Sequence, residues 1–178
     1  MVLLQLPIEL RTSRLHLQRL KYEDAEEIFY TYASKPEATR FMAWPTHQCL
    51  EDTRDFINYT RGAWEQGLDF SYAIRLADTG RLIGSIGVIN DDGKVQFGYI
   101  LTPTQWGQGY ATEACKAVLD TLSTFRTIHR IWTLVDAENI ASIRVLQKCG
   151  LIQEARLEKW FRFINQGNDP KDCLIFRV

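Results

Sequence analysis

A mixed α/β chain (α+β), built on one mostly antiparallel central sheet with helices on both faces, is the fold class that the sequence predicts. Three observations predict it. Strand-like segments stand first and last, a run of short antiparallel strands fills the middle, and two amphipathic helices follow that run.

In "RLHLQRL", Leu15, Leu17 and Leu20 recur among polar residues and give a first strand. A helix starts near Glu23, where acidic residues suit the positive end of the helix dipole. The segment "ASKPEATRFMAWPTHQ" carries two prolines, so an irregular stretch that shapes a pocket is expected there. A second helix runs from about Leu50 to Trp64. "FSYAIRLADTGRLIGSIGVI" and "DDGKVQFGYIL" then read as three antiparallel strands turned at ADTG and NDDG.

The clearest helix comes next, because Ala111, Ala114, Cys115, Val118, Leu119, Leu122 and Phe125 fall on one face and Glu113, Lys116 and Asp120 on the other. "HRIWTLVD" is a nearly continuous apolar run, as a buried central strand requires. Asn139 suits the cap of a following helix with Ile140, Ile143 and Leu146 on its apolar side, and Gly150 suits its left-handed stop. "LIQEARLEKWFRF" and "CLIFRV" complete the sheet as two more strands.

Composition narrows the function. The 178 residues, 46% of them hydrophobic, fit one domain spanning 1–178. Lys and Arg total 21 against 22 Asp and Glu, so no basic field invites nucleic acid. Nowhere do about 18 apolar residues run together, and the opening MVLLQLPIELRTSRL lacks a signal-peptide pattern, so a cytoplasmic protein without a membrane partner is expected. Cys49, Cys115, Cys149 and Cys173 are widely spaced and the three histidines do not cluster, which gives four reduced, mostly buried thiols and no metal site.

The stretch QWGQGYATEA, residues 105–114, is where chemistry concentrates. Glycines beside a helix start let the backbone approach a ligand, and the helix N-terminus offers unpaired N–H groups to an anion. A Walker loop fails because no Lys-Ser/Thr follows the second glycine. A dinucleotide fingerprint is weak because Thr112 takes the place of its third small residue and antiparallel strands precede the loop.

The loop resembles the acyl-CoA diphosphate-binding motif of the GNAT N-acetyltransferases. Gly109 and Ala111 match its last two fixed positions, and Trp106 replaces its Gln or Arg in the form seen in the RimJ/RimL branch, the ribosomal-protein N-terminal acetyltransferases. "TSRLHLQRL" is similar to that branch's opening strand and "FGYIL" to the strand before the loop. "DAENIASIRVLQKCGL" is similar to its Asn-x-x-Ser helix, with Leu151 replacing the usual Phe.

The resemblance implies a GNAT fold with a splayed strand pair, in a single N-acetyltransferase domain. It implies acetyl-CoA as co-substrate and no metal. Pantetheine would pass between the strands around Phe97–Leu101 and Ile131–Val135, along Ile100, Leu101 and Thr102, with a backbone N–H near Ile100 polarising the thioester. Gly107, Gln108, Gly109, Tyr110, Ala111 and Thr112 would hold the diphosphate. Asn139 and Ser142 would contact the cofactor and act in catalysis, Ser142 by delivering a proton to sulphur, although both also read as ordinary helix-cap residues.

Many relatives place an acid where this chain has Gln96, and an amide takes no proton. Either another carboxylate or histidine acts through water, or the acceptor is an amine of low pKa. The implied partner is an amine-bearing acceptor, a protein N-terminus or a small molecule such as an antibiotic or polyamine, and the chain is a monomer or homodimer. A CoA-binding module without catalysis is the reading from a different class.

Overall fold

The computed structural model describes residues 2–167 and 169–178. The strands are β1 Glu9–Arg11, β2 Leu15–Arg19, β3 Asp69–Leu76, β4 Leu82–Asp91, β5 Lys94–Leu101, β6 Arg130–Asp136, β7 Ile152–Phe161 and β8 Lys171–Arg177. The helices are α1 Ala25–Ile28, continued by a wider π-type turn over Phe29–Ala33, then α2 Pro36–Thr39, α3 Leu50–Glu65, α4 Tyr110–Ser123 and α5 Ile140–Lys148. All eight strands form one sheet in the order β1-β2-β3-β4-β5-β6-β8-β7. Every neighbouring pair is antiparallel except β5 and β6, which are parallel because the chain crosses between them through α4.

Local sequence explains most boundaries. The β4–β5 turn consists of Asp92 at φ 52° and Gly93 at φ 87°, the two positive values that the Asp-Gly pair supplies to a two-residue hairpin. Pro36 opens α2 rather than breaking it, since a proline at the first helical position lacks only an N–H that would have no helical partner. The stretch expected to be irregular therefore contains a helical turn. Strand β1 was not expected, because three residues with one half-buried side chain, Leu10, show no period.

Alternation along the strands sorts side chains onto two faces. On one face Phe70, Ile86, Phe97, Val135 and Phe176 pack with Ala114, Val118 and Leu122 of α4 and Leu146 of α5. On the other, Ala73, Leu82 and Ile100 pack with Ile28, Tyr32, Ala38 and Ile57 from α1 to α3. Strand β6 is less enclosed than its apolar run suggested: Ile131 and Leu134 are only half-buried. Of the four thiols, Cys115 and Cys173 are buried, Cys149 is partly so and Cys49 is exposed.

Strands β5 and β6 pair only at Lys94–Arg130, Val95–Ile131 and Gln96–Trp132. Beyond that point the buried Thr133 Oγ1 donates to the Phe97 carbonyl at 2.7 Å, a side chain taking over where the ladder stops. Thr133→Val keeps the shape but strands that carbonyl, and should cost about 1–3 kcal/mol in a denaturant titration.

Candidate active site

The parting of β5 from β6 opens a cavity of about 730 Å³ that reaches both faces of the sheet. Backbone direction follows from the register. Thr102 N–H donates to Ile83 O at 2.8 Å, so alternation turns the N–H groups of Ile100 and Gly98 toward β4 and those of Tyr99 and Leu101 toward the gap. A donor was expected near Ile100; its own N–H is spent inside the sheet, and those of Tyr99 and Leu101 on either side face the gap. Thr102 itself continues the β4 pairing and does not line the cavity.

At the far end of β5 the chain makes a short turn over Pro103–Gln105 and enters the glycine loop. Gly107 has φ 73° and Gly109, the residue that caps α4, has φ 82°, a region that disfavours residues carrying a Cβ. Nothing lies within 4 Å of a Cβ built on Gly107, so the space beside the helix start is open. Gly107, Gly109, Tyr110, Ala111 and Thr112 line the cavity, while Gln108 does not. Its carbonyl accepts from Arg14 Nη1 at 3.0 Å and its side chain turns back to Thr104 and Gln105. The indole of Trp106 donates to Leu101 O at 3.0 Å and ties the loop to β5.

The loop is braced from the β1–β2 turn. Glu113 Oε1 accepts from Thr12 Oγ1 at 2.5 Å and from the Arg14 N–H at 2.9 Å, and Oε2 accepts from Arg14 Nε at 2.7 Å. Burial pushes the Glu113 carboxyl up, but the bonds from Thr12 and Arg14 outweigh it and hold the group below its usual range. The Arg14 guanidinium also lies 4.6 Å from the centre of the Tyr110 ring. Arg14 was not among the expected site residues. Its partners lie about a hundred positions away in sequence, beyond the reach of any local pattern.

Asn139 and Ser142 stand where the cap pattern put them, with Asn139 Oδ1 accepting from Ser142 N–H at 3.2 Å. Both line the cavity. Ser142 Oγ is 2.9 Å from Tyr99 OH, a partner that sequence reasoning missed. Burial drives the Tyr99 hydroxyl far above its ordinary pKa, with only the Ser142 bond acting in the opposite sense among its hydrogen bonds, so it keeps its proton.

The opposite face of the sheet presents a different surface. Register aligns Asp69, Ile89 and Gln96 in one row and Ser71, Gly87 and Gly98 in the next, all lining the cavity. Small residues keep the floor low, and Trp44, His47, Phe56 and Phe163 wall it. His47 is held neutral chiefly by burial, and its Nδ1 is 2.7 Å from Thr53 Oγ1. One side chain fixes this wall: Asn165 Nδ2 donates to Thr39 O at 2.7 Å and Trp44 O at 2.9 Å, while its Oδ1 accepts from Thr46 N–H at 2.9 Å.

Among the described residues no cysteine lines the cavity and no cluster of three or more His, Cys, Asp or Glu suits a metal ion. Cys149 gains a hydrogen bond from Cys115 that lowers its pKa, and burial raises that of Cys115, but both lie outside the cavity walls. No helix among the described residues is long and apolar enough to cross a membrane.

A sheet parted between two parallel strands, with a glycine loop and helix start at the mouth of the gap, defines an acetyl-transferring enzyme of the GNAT type. Sequence likeness agrees, since the acetyltransferase (GNAT) domain matches residues 14–152, and the chain belongs to that family as an N-acetyltransferase. It is 31% identical over 153 residues to the uncharacterized N-acetyltransferase p20 of Bacillus licheniformis, covering 82% of this chain and 85% of that one. A GNAT-family acetyltransferase from Bacillus anthracis superposes with a TM-score of 0.83 at 25% identity, covering 96% and 97% of the two chains. Mycobacterium smegmatis RimJ, solved in complex with CoA-disulfide, shares the fold with a TM-score of 0.82 at 20% identity over 96% and 85%.

Gly109→Val places a branched Cβ in left-handed backbone, 3.4 Å from Arg14 Nη2. Calorimetric titration should show acetyl-CoA binding lost while the circular dichroism spectrum is retained. Undiminished affinity in the folded variant would separate the loop from anion binding.

Proposed function

We propose that this protein transfers the acetyl group of acetyl-CoA directly to an amine, with a protein N-terminal α-amine as the first acceptor class. The observation that carries this reading is the gap between β5 and β6, with the open glycine loop at its mouth and the Ser142–Tyr99 pair on its wall. The residues present fit the cofactor. Two glycines in left-handed backbone and the first N–H groups of α4 suit a diphosphate, and the exposed edge of β5 suits an extended amide-bearing arm.

Acetyl-CoA supplies the activated acyl group and a thiolate leaving group. The N–H groups of Tyr99 and Leu101 face the gap, where a donor aimed at a carbonyl oxygen stabilises the negative charge that develops on it. Ser142 Oγ, 2.9 Å from the Tyr99 hydroxyl, would give its proton to the leaving sulphur, with Tyr99 orienting it through that hydrogen bond. With no cysteine in the cavity walls, direct transfer is favoured over a covalent acyl-cysteine route.

An α-amine, with a pKa of about 7.7–8.0, is partly neutral at physiological pH and needs little assistance. RimL, a ribosomal L7/L12 alpha-N-protein acetyltransferase, shares the fold, which is compatible with that acceptor. A second reading, a small-molecule amine, is favoured by the closed aromatic wall of Trp44, Phe56 and Phe163. Incubation with acetyl-CoA and a panel of peptides, aminoglycosides and polyamines, followed by mass spectrometry, distinguishes the two by which acceptor gains an acetyl group. No gain on any of them leaves only the CoA-binding module.

Ser142→Ala should lower turnover about 100- to 10,000-fold with acetyl-CoA affinity nearly intact, because the interaction acts mainly in the transition state. Tyr99→Phe should lower turnover in the same direction. Because Tyr99 keeps its proton well above its ordinary pKa of about 10, the wild-type rate should show no alkaline fall below that pH from its ionisation. A pH series of steady-state rates checks both.

A further inference from the structure

Asp69 lies mostly buried on the acceptor floor and, among the described residues, pairs with no cation. Its hydrogen-bond partner is Ser71, whose Oγ donates to Asp69 Oδ1 at 2.9 Å. Asp136 also lines the cavity, but its two oxygens are taken by Glu138 N–H at 2.8 Å and Gln166 Nε2 at 2.9 Å. A buried carboxylate without a counter-ion costs folding energy. In a cleft that admits an ammonium, the substrate supplies the missing charge.

We propose that Ser71 and Asp69 form the proton-accepting pair for the acceptor's ammonium, replacing the acid that Gln96 does not provide. The inference rests on the acetyl-transfer reading and adds the other half of its proton traffic. Ser71 Oγ lies over the β4 strand, 3.5 Å from where a Cβ on Gly87 would stand. Gly98 follows in the same row, one strand spacing of about 4.8 Å further on. Glycine at both positions leaves a clear path from Ser71 to the β5 edge, where Tyr99 and Leu101 present their N–H groups.

The chemistry balances across the sheet. An N–H proton of the incoming ammonium passes to Ser71 Oγ as the Ser71 hydroxyl proton passes to Asp69 Oδ1. The freed nitrogen lone pair forms the C–N bond, the C–S bond breaks with its electrons going to sulphur, and sulphur takes its proton from Ser142 on the opposite face. The second nitrogen proton leaves to water as the amide forms, and Ser142 regains its proton from that water. Asp69 then releases its proton to water. Ser71 touches the substrate, and Asp69 acts through Ser71.

Burial raises the Asp69 carboxyl above its ordinary pKa, and the Ser71 bond lowers it by less. Ile89 of β4 is its cross-strand neighbour, and α3, packed on β3, brings Phe56 to the cavity. The other titratable or charged groups on the cavity wall are Tyr32, Glu37, His47, Tyr99, Tyr110, Asp136, Arg144 and Lys148. The sign follows: a carboxyl raised on folding destabilises above its folded-state pKa, and the cost disappears below its unfolded-state pKa.

Asp69→Asn keeps an acceptor for Ser71 but takes no proton. With an amine that the wild type acetylates, its turnover should fall about 100-fold or more near neutral pH. The deficit should narrow as pH rises toward the amine's own pKa. It should also be larger for a polyamine than for an α-amine. Acetyl-CoA affinity should be unchanged and the thermal midpoint equal or higher, an outcome that a merely structural role does not give. Ser71→Ala should lower turnover in the same pH-dependent way, and stands as the test if Asp69→Asn does not fold. Full turnover with an unchanged pH profile in these variants, with chemistry rate-limiting, overturns the pairing. So does a loss of equal size at every pH. A wild type that acetylates no amine overturns the transfer reading and this one together, whereas an active wild type with an equally active Asp69→Asn overturns this one alone.

Discussion

Two neighbouring strands that pair at three positions and then separate leave backbone donors and acceptors facing a space inside a sheet. Each such group left without a partner costs about 1–3 kcal/mol, so the opening between β5 and β6 persists only because other parts of the molecule hold it. Thr133 satisfies the first abandoned carbonyl, that of Phe97. Trp106 satisfies the last, that of Leu101. Between them the gap offers N–H groups to whatever extended chain enters. Cores on both faces keep β5 from drifting back, with Phe97 and Leu101 anchored on one side and Ile100 on the other.

The same opening decides where the remaining parts stand. Helix α4 starts at the mouth of the gap, where its first N–H groups would meet a diphosphate. Its first turn is fixed by the distant β1–β2 turn, through Glu113 and Arg14. The cofactor side therefore carries rigid, charge-assisted contacts, while the acceptor side is lined by small floor residues and an aromatic wall. Ser142 and Tyr99 lie on the first side, Asp69 and Ser71 on the second, with the parted strands between them.

Much of this was legible in the sequence wherever one segment carries its own instruction. The apolar face of α4 from Ala111 to Leu122, the Asp-Gly hairpin, the glycine loop and the Asn139 cap are local patterns, and each element stands where its pattern placed it. The family resemblance supplied the splay, which no periodicity reveals. What stayed hidden is set by register. Asp69 and Gln96 share a row only because two antiparallel pairings bring them there, and Tyr99 meets Ser142 across the gap. Which N–H groups near Ile100 face the gap has the same origin: it depends on how β5 meets β4, and a single strand does not record that.

Asn165 closes the acceptor wall with one amide, joining the β7–β8 connection to the backbone of Thr39, Trp44 and Thr46. Two stretches of chain more than a hundred residues apart thus behave as one piece of architecture. Grafting either stretch alone from a relative would unlatch the other, so a change of acceptor preference is inherited or engineered as a matched pair of loops around an untouched cofactor half. Chimeras that exchange both together would keep the latch and transplant a substrate range in a single move.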